Sequence, residues 1–244
     1  MEKIKNLLAS PNSKNSLEDT ISLIRNDKCK QFYFNISCIQ QDLRRQIIEW
    51  MIIVNNKLNF SSNCFHIQIE IFDSFCDSKE FKLETLDIHL LAVTAINLSA
   101  KFEEIKILTL NTIIQNVCHN KYTKEEILKF EIVLLKTLKY RIKSNYFCDF
   151  AIIFSELFSI EKTRKQYYDI FVFNYQKAII DYRFYRKYSK LQLYLAVVYV
   201  SLLKINIGNQ VKFSEILFLV VVESIGCNIK NVMMIAKKLA ILCI

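Results

Sequence analysis

Only two glycines and one proline, Pro11, occur among the 244 residues of this chain. Glycine supplies the positive φ angles of tight hairpin turns and proline presets a turn corner, so this chain has few means of closing β-hairpins. Hydrophobic residues make up 52% of the sequence, enough to fill one or two substantial cores. The sequence therefore predicts an all-α protein.

Apolar residues recur at three- and four-residue spacing in ten segments, which is the period of amphipathic helices. A leader, residues 1–40, precedes them; its residues 10–16 are polar, and a short helix is expected at 17–25. Five segments fall within 41–143 and five of similar length within 144–244. This repetition of number and order predicts two tandem five-helix bundles. The expected helices are 42–58, 61–76, 83–103, 108–119 and 123–138, then 145–158, 163–181, 188–205, 211–224 and 228–242.

The third segment is apolar around most of its circumference and ends in charge, reading LLAVTAINLSAKFEE at 90–104. Such a helix is buried on several sides, so we expect it at the centre of its bundle. Lys101 suits a helix C-terminus, where free carbonyls and the helix dipole favour a cation. By pattern alone, the end of this helix emerges into water with its glutamates solvated.

Composition excludes several classes of site. The eight cysteines include no CxxC pair, which is typical of a reducing compartment. Cys118 and His119 are adjacent but lack a second ligand pair, and His66 and His89 are isolated, so no metal site is expected. The uncharged run at 191–203 is shorter than the roughly 18 residues that span a bilayer, so no membrane partner is expected. The net charge of +9 permits acidic partners.

Four stretches carry a resemblance to a known family. They are DLRRQIIEWMIIV at 42–54, IEIFDSF at 69–75, AVTAINLSAKFEE at 92–104 and YTKEEILKFEIVLLKTLKY at 122–140. Together they resemble the cyclin box, the five-helix module of proteins that activate cyclin-dependent kinases. The residue types that mark this box appear in order as Arg44, Asp73, Leu90, Lys101 and Glu131.

The resemblance implies the cyclin fold and a non-catalytic subunit that binds and activates a cyclin-dependent Ser/Thr kinase during cell-cycle progression. It also implies no cofactor and a place in the nucleus, the cytoplasm or both. The sequence agrees with a non-catalytic role, because it contains no GxGxxG, GxxxxGK or nucleophile-elbow motif. Residues 188–206, YSKLQLYLAVVYVSLLKIN, resemble the third helix of the second repeat of this fold.

The resemblance also implies roles for particular residues. Arg44 and Asp73 would form a buried ion pair between the first two helices. Lys101 and Glu131 would hydrogen-bond the kinase backbone ahead of its regulatory helix. The apolar contacts around that pair would be Leu98, Phe102, Leu135, Tyr140 and Ile142, of which Leu98 and Leu135 are equally well explained as core residues.

Many cyclins hold kinase substrates in an apolar patch on the first helix. The matching residues here are Leu43, Gln46, Ile47, Trp50, Ile88 and His89. Gln46 stands where the family usually has an aliphatic residue, and a polar side chain weakens an apolar groove. We therefore expect Leu43 and Trp50 to act mainly in packing.

A rival function is a nucleic-acid or transcription adaptor built on the same fold. Its support is DYRFYRKYSK at 181–190, where basic residues alternate with tyrosines that could stack on bases. The alternative, which we prefer, is a solvated loop and helix start whose tyrosines pack inward. Nucleic acid is therefore not the expected partner.

Overall fold

The computed structural model describes residues 40–78, 87–105, 108–142, 147–155, 158, 160–205, 218–219, 222–223 and 226–243. Every regular element in these residues is a helix, as the sequence predicts. The helices are α1 Gln41–Leu58, α2 Ser62–Asp77, α3 Ile88–Glu103, α4 Leu110–Asn116, α5 Lys124–Thr137, α6 Phe147–Ser155, α7 Glu161–Ile180, α8 Tyr182–Lys187, α9 Lys190–Lys204 and α10 Ile229–Leu242.

The chain divides into two compact units, one covering 34–145 and the other continuing from residue 146. The first unit contains α1 to α5 and the second contains α6 to α10. The expected helix at 17–25 lies outside the described residues, as does most of the one expected at 211–224. Residues 218–219 and 222–223 of the latter are helical.

Side-chain caps define several helix starts. The hydroxyl of Thr123 accepts from the amide of Glu126, whose carboxylate in turn accepts from the amide of Thr123, so the predicted capping box is present. Ser189 and Gln192 form a second capping box at the start of α9. Gly226, at φ +74°, takes the left-handed conformation shortly before α10, as expected of a helix boundary.

The predicted start of the third helix at residue 83 is wrong. Asp87 is extended and its carboxylate accepts from the amides of His89 and Leu90, so α3 begins at Ile88. A short acidic side chain competes well for free amides at a helix start, and this local bonding outweighs the apolar periodicity that continues upstream. The fourth helix is shorter than predicted, because Thr109 caps its start and His119 and Asn120 are left-handed beyond its end.

Two helices of the first unit are buried on nearly every side. All residues of α3 from Leu91 to Ala100 are buried, as the prediction of a central helix requires. Helix α2 is buried just as fully, although it carries His66, Gln68, Glu70 and Asp73. Asp73 pairs with Arg44, His66 lies near Glu70, and Gln68 Nε2 donates to the side chains of Asn55 and Cys64, whereas Gln68 Oε1 is buried without a partner among the described residues.

In the second unit, α9 is the most buried helix and packs against α7 and α10. The segment at 181–190 contains an unpredicted short helix, α8, capped by Asp181 through the amide of Phe184. Tyr182 and Tyr185 are buried, and half-buried Tyr188 packs edge-on against Phe184. These tyrosines pack inward, which agrees with the preferred interpretation of this segment.

Candidate functional site

Lys101 and Glu131 form a two-pronged ion pair between the last turn of α3 and the middle of α5. The Lys101 Nζ lies 2.8 Å from Glu131 Oε1 and 2.7 Å from Oε2. The lysine side chain is 43% exposed and the glutamate side chain 13%. The positive charge of Lys101 is therefore paired within the chain, with the Glu131 carboxylate, which is mostly shielded from water.

Asn97 fixes this pair from the core side. Its side chain is buried one turn before Lys101, and its Nδ2 donates to Glu131 Oε2 at 2.8 Å. Each carboxylate oxygen has two lone pairs and an ammonium has three N–H groups. After the bonds within the described part of the chain are counted, one lysine N–H and one lone pair of Oε1 remain for a partner. The pair therefore presents a donor and an acceptor side by side.

Exposed apolar side chains lie on the same two helices. Phe102, next to Lys101, is 50% exposed, and Leu128 and Ile132 are exposed one turn apart on the α5 face that carries Glu131. Leu135 continues this face and is half-buried. We call Lys101, Glu131, Phe102, Leu128 and Ile132 the α3–α5 surface. Large apolar residues around a charged pair are the composition of a protein-binding patch.

The remaining predicted contact residues divide between core and surface. Leu98 is only 6% exposed, so of its two interpretations the structure favours core packing. Ile142 is half-buried. Tyr140, just beyond α5, is 68% exposed and has a φ of 56°, and Lys139 before it is also left-handed. Bulky residues seldom adopt this conformation, which costs roughly 1–2 kcal/mol.

The turn that carries Tyr140 has a defined cause. The Tyr140 amide donates to the carbonyl of Leu135 at 2.8 Å, and the Lys139 amide donates to that of Lys136 at 2.9 Å. These bonds satisfy carbonyls at the end of α5, where the left-handed position is usually glycine. The bonds at the helix end thus hold an exposed aromatic side chain in a backbone conformation that glycine would adopt without strain.

Sequence reasoning missed four residues of this region. Asn97 was detectable as a polar residue one turn before the lysine in an otherwise apolar helix. Leu128 and Ile132 share the face of Glu131, which the helical spacing shows. Glu104 was interpreted as solvated by pattern alone, but its Oε1 accepts from the amide of Ser61 at 2.7 Å. This bond ties the end of α3 to the start of α2, and no local pattern signals it.

Arg44 and Asp73 form the buried pair that the resemblance implies. Arg44 Nε and NH2 donate to the two oxygens of Asp73 at 2.9 and 2.8 Å, and both side chains are 1% exposed. The pair joins α1 to α2 and touches no surface. Its role is therefore structural. Leu90, the other marker residue, is half-buried on α3, and its carbonyl accepts from the hydroxyl of Thr94.

Two residues of the expected substrate patch, Trp50 and His89, belong to a row of three aromatic rings that are tilted against one another. The Trp50 ring centroid lies 4.8 Å from that of His89, which lies 5.5 Å from that of Tyr122. Trp50 and His89 are half-buried, as are Leu43, Ile47 and Ile88, whereas Gln46 is exposed. The contact of the Trp50 ring with His89 agrees with a packing role. Gln46 contributes a polar side chain to the surface above it.

A hydrogen-bond chain fixes which ring nitrogen of neutral His89 carries the proton. The Tyr122 hydroxyl donates to Asp87 Oδ2 at 2.8 Å, and its oxygen lies 3.0 Å from His89 Nδ1. Because the single hydroxyl proton is used, neutral His89 carries its proton on Nδ1 and donates it to Tyr122. Lys121 completes the group, with its Nζ 3.5 Å from Asp87 Oδ2.

These contacts shift the pKa values of the group. Burial, with Lys121 nearby, lowers the pKa of His89 although Asp87 opposes the change. Burial and the bond to Asp87 raise the pKa of the Tyr122 hydroxyl. Burial acts to raise the pKa of Asp87, but the bonds from Tyr122 and from the Leu90 amide, together with Lys121, lower it overall.

Within the described ranges, no cluster of histidine, cysteine, aspartate and glutamate side chains could hold a metal ion. Cys118 is buried and its thiol bonds the carbonyl of Ile113, whereas His119 is exposed in the left-handed conformation. No described helix is long and apolar enough to cross a membrane.

Comparison with known proteins identifies the α1–α5 region. The family model for the cyclin N-terminal domain matches residues 17–143. A G2/mitotic-specific cyclin-4 from Saccharomyces cerevisiae is 29% identical over 99 residues, which are 41% of this chain and 21% of that protein. A cyclin-B2-2 from Oryza sativa subsp. indica is 28% identical over 102 residues, 42% of this chain and 24% of that one. The match thus spans about a fifth to a quarter of these relatives.

The fold comparison extends over nearly the whole chain. The X-ray structure of a viral cyclin from herpesvirus saimiri superposes with a TM-score of 0.74 at 15% identity, covering 93% of this chain and 96% of that one. At this identity the likeness shows the fold alone, which is the cyclin fold. Because the family model covers more than half of its residues, the chain belongs to the cyclin family.

Proposed function

We propose that this protein binds a cyclin-dependent protein kinase through the α3–α5 surface and raises its activity as a non-catalytic subunit in cell-cycle control. The observation that carries the proposal is the Lys101–Glu131 pair, oriented by buried Asn97 and flanked by exposed apolar residues. The chain's membership of the cyclin family supports a cyclin-dependent kinase as the class of partner.

The chemistry of the pair suits a backbone partner. A peptide group offers one N–H and one carbonyl, and the α3–α5 surface has one free lysine N–H and a free glutamate lone pair beside it. Phe102, Leu128 and Ile132 would lose solvent-exposed area on docking, which is the main source of affinity. By favouring the active arrangement of the kinase's regulatory helix, docking would shift the kinase toward its active state.

Tyr140 supports the same surface. Its backbone is strained and its side chain is mostly exposed, so neither packing nor local geometry accounts for a tyrosine there. We infer that the exposed ring contacts the kinase. Tyr140→Gly should then retain or raise the stability of the chain while weakening kinase binding.

The test is capture of a kinase from a cell extract by the tagged chain. Bound proteins are identified by mass spectrometry, and the captured complex is assayed for phosphate transfer to a protein substrate. The wild-type chain should recover an active cyclin-dependent kinase, and the Lys101→Ala, Glu131→Ala double variant should recover little. Lys57→Ala is the control, because this exposed lysine lies in the last turn of α1, on neither of the two helices that form the α3–α5 surface.

A charge exchange separates folding from recognition. Lys101→Glu combined with Glu131→Lys keeps an internal ion pair but reverses the positions of donor and acceptor. This variant should match wild-type far-UV circular dichroism and thermal unfolding yet fail to capture the kinase. Full capture by both double variants would contradict the proposal.

Two other features stand outside this proposal. The substrate patch around Trp50 remains a prediction, and Gln46 on its surface argues for weak binding of an apolar docking segment. The nucleic-acid function has less support, because two of the three tyrosines that could stack on bases, Tyr182 and Tyr185, are buried. Retention of nucleic acid without a kinase in the capture experiment would favour that rival function.

A further inference from the structure

Three side chains of the second unit form an exposed aromatic and cationic cluster, which we call the Phe173 cluster. Phe173 on α7 is 47% exposed. The Nζ of Lys177 lies 5.4 Å from its ring centroid, and the Nζ of Lys204, on α9, lies 5.7 Å from it. Ammonium groups within about 6 Å of a ring centroid are attracted to the electron-rich ring face. Two positive charges are thus gathered beside one apolar ring.

Lys204 is positioned from the core. Its Nζ donates to Asn174 Oδ1 at 3.0 Å and to the carbonyl oxygen of Cys243 at 3.4 Å. Asn174 is fully buried and donates to the Ser201 hydroxyl at 2.9 Å, which donates to the carbonyl of Val197 at 2.7 Å. These bonds leave one ammonium N–H for an external acceptor. The lysine head is therefore oriented before any partner arrives.

Within the described part of the chain, no carboxylate lies within 4.0 Å of the Nζ of Lys177 or Lys204. Helix α9 contains two lysines and α10 three, and neither helix contains an aspartate or glutamate. Asp169 and Asp181 lie one turn to either side of the cluster along the chain. Asp181 uses one oxygen to cap α8. The two ammonium groups of the cluster therefore favour a partner that carries negative charge.

Apolar surface adjoins this charge. The bond from Lys204 to the carbonyl of Cys243 brings the C-terminal ends of α9 and α10 side by side. Leu203 and Ile241, in the last turns of these helices, are 47% and 72% exposed. A partner that matches this end of the unit has carboxylates together with apolar side chains.

We propose that the Phe173 cluster is a docking site for an acidic segment of a partner protein, with carboxylates bound by Lys177 and Lys204 and an apolar side chain packed on Phe173. A nucleic-acid strand is the weaker match, because the exposed Leu203 and Ile241 at this end of the unit favour a partner that carries apolar side chains as well as negative charge. The site lies in the second unit and goes beyond the proposed kinase-binding function, on which it does not depend.

The experiment measures fluorescence anisotropy of a fluorescein-labelled peptide of repeated Glu-Leu-Glu-Glu-Leu units as the full chain is added. The control peptide has lysine in place of each glutamate. The acidic peptide should bind and the basic one should not. Binding should also vanish near 1 M salt, where the Debye length is about 3 Å.

Matched variants locate the binding site. Lys177→Glu and Phe173→Ser should each weaken binding by about tenfold, since each removes one of the three contacts. Lys162→Glu makes the same charge change at an exposed position in the first turn of α7 and should weaken binding less than about twofold. Lys177 is changed rather than Lys204 because Lys204 also bonds the buried Asn174. Circular dichroism checks the fold of each variant.

Two results would overturn the proposal. One is equal binding by the Lys177→Glu and Lys162→Glu chains, which would show only a general response to net charge. The other is displacement of the peptide by a single-stranded oligothymidine whose own binding depends on Lys177, which would assign the cluster to nucleic acid. Kinase capture by the Lys177→Glu chain should remain at the wild-type level, so failure of this proposal is distinguishable from failure of the kinase-binding function.

Discussion

Replacement of Asp73 by asparagine tests the account of the first unit most directly. The change keeps the shape of the side chain but removes its charge, so the buried Arg44 guanidinium loses the negative charge of its Asp73 partner. Removing one partner of a buried ion pair typically costs about 3–5 kcal/mol, because the remaining charge stays desolvated. Asp73→Asn should therefore lower the stability of the first unit by this amount.

The assay uses the single tryptophan of the chain. Trp50 lies on α1, the helix that carries Arg44, so its fluorescence reports unfolding of this unit in urea. For slopes of about 1–3 kcal/mol per molar urea, a loss of about 4 kcal/mol moves the midpoint down by roughly 2 M. Replacing both partners, Arg44→Met with Asp73→Leu, should recover much of this loss, because no buried charge is left unpaired.

A control pair lies on the same helix. Arg45 and Glu49 also form an arginine–carboxylate ion pair, at 3.0 Å, but their side chains are 63% and 43% exposed. Surface pairs contribute about 0–1 kcal/mol, so Glu49→Gln should hardly move the midpoint. Equal shifts for Asp73→Asn and Glu49→Gln would refute the reasoning that burial makes the Arg44–Asp73 pair costly to break.

Two further changes test the polar interior. Because the fold lowers the pKa of His89 from 6.5, it favours the neutral imidazole, and the stability that this form contributes is lost as the pH falls below 6.5. The urea midpoint detected by Trp50 fluorescence should therefore fall more between about pH 7.5 and about pH 5.5 for wild type than for His89→Gln. Equal falls would contradict this. The Tyr167 hydroxyl is buried without a hydrogen-bond partner among the described residues, so Tyr167→Phe should raise the stability measured by thermal unfolding by about 1 kcal/mol. Tyr122→Phe, which removes a hydroxyl that bonds Asp87, should lower it. A loss of stability in both variants would contradict the explanation that the Tyr167 hydroxyl is unsatisfied.

The helices could be predicted where local sequence decides their ends. Thr123 and Glu126 stand at the spacing of a capping box, and the structure begins α5 beside them. Asp87 was equally able to cap, but apolar residues before it extended the helical pattern, so the predicted start lay too early. Apolar periodicity indicates which residues favour a helix, whereas the residue at which the helix begins depends on which side chain bonds the free amides of its first turn.

Burial was harder to predict than helix formation. The apolar letters of α3 gave its central position, but α2 is buried as fully despite Gln68, Glu70 and Asp73. Most buried polar residues have a hydrogen-bond partner, and partners such as Arg44 lie far away in sequence. Single-residue hydrophobicity cannot report such pairs.

For the candidate site, the charged pair was predictable and its supports were not. The resemblance placed Lys101 and Glu131 together, and they lie within 2.8 Å of each other. Of the predicted apolar contacts, Phe102 and Tyr140 are exposed and Leu98 is buried, and the exposed Leu128 and Ile132 were not predicted. Which side of a helix faces solvent depends on the packing of its neighbours, and that information is distributed over the whole unit.

The two units use the same arrangement at the ends of α3 and α9. In the first, buried Asn97 holds Glu131, which holds Lys101; in the second, buried Ser201 accepts from Asn174, which holds Lys204. A polar residue in an otherwise apolar helix is costly unless all its bonds are made, so its simplest explanation is the group that it positions. An ammonium that is already oriented loses less conformational freedom on binding, which favours affinity. Lysines at the ends of buried helices, with a polar residue one turn earlier, are therefore the residues to examine first for partner recognition in both units.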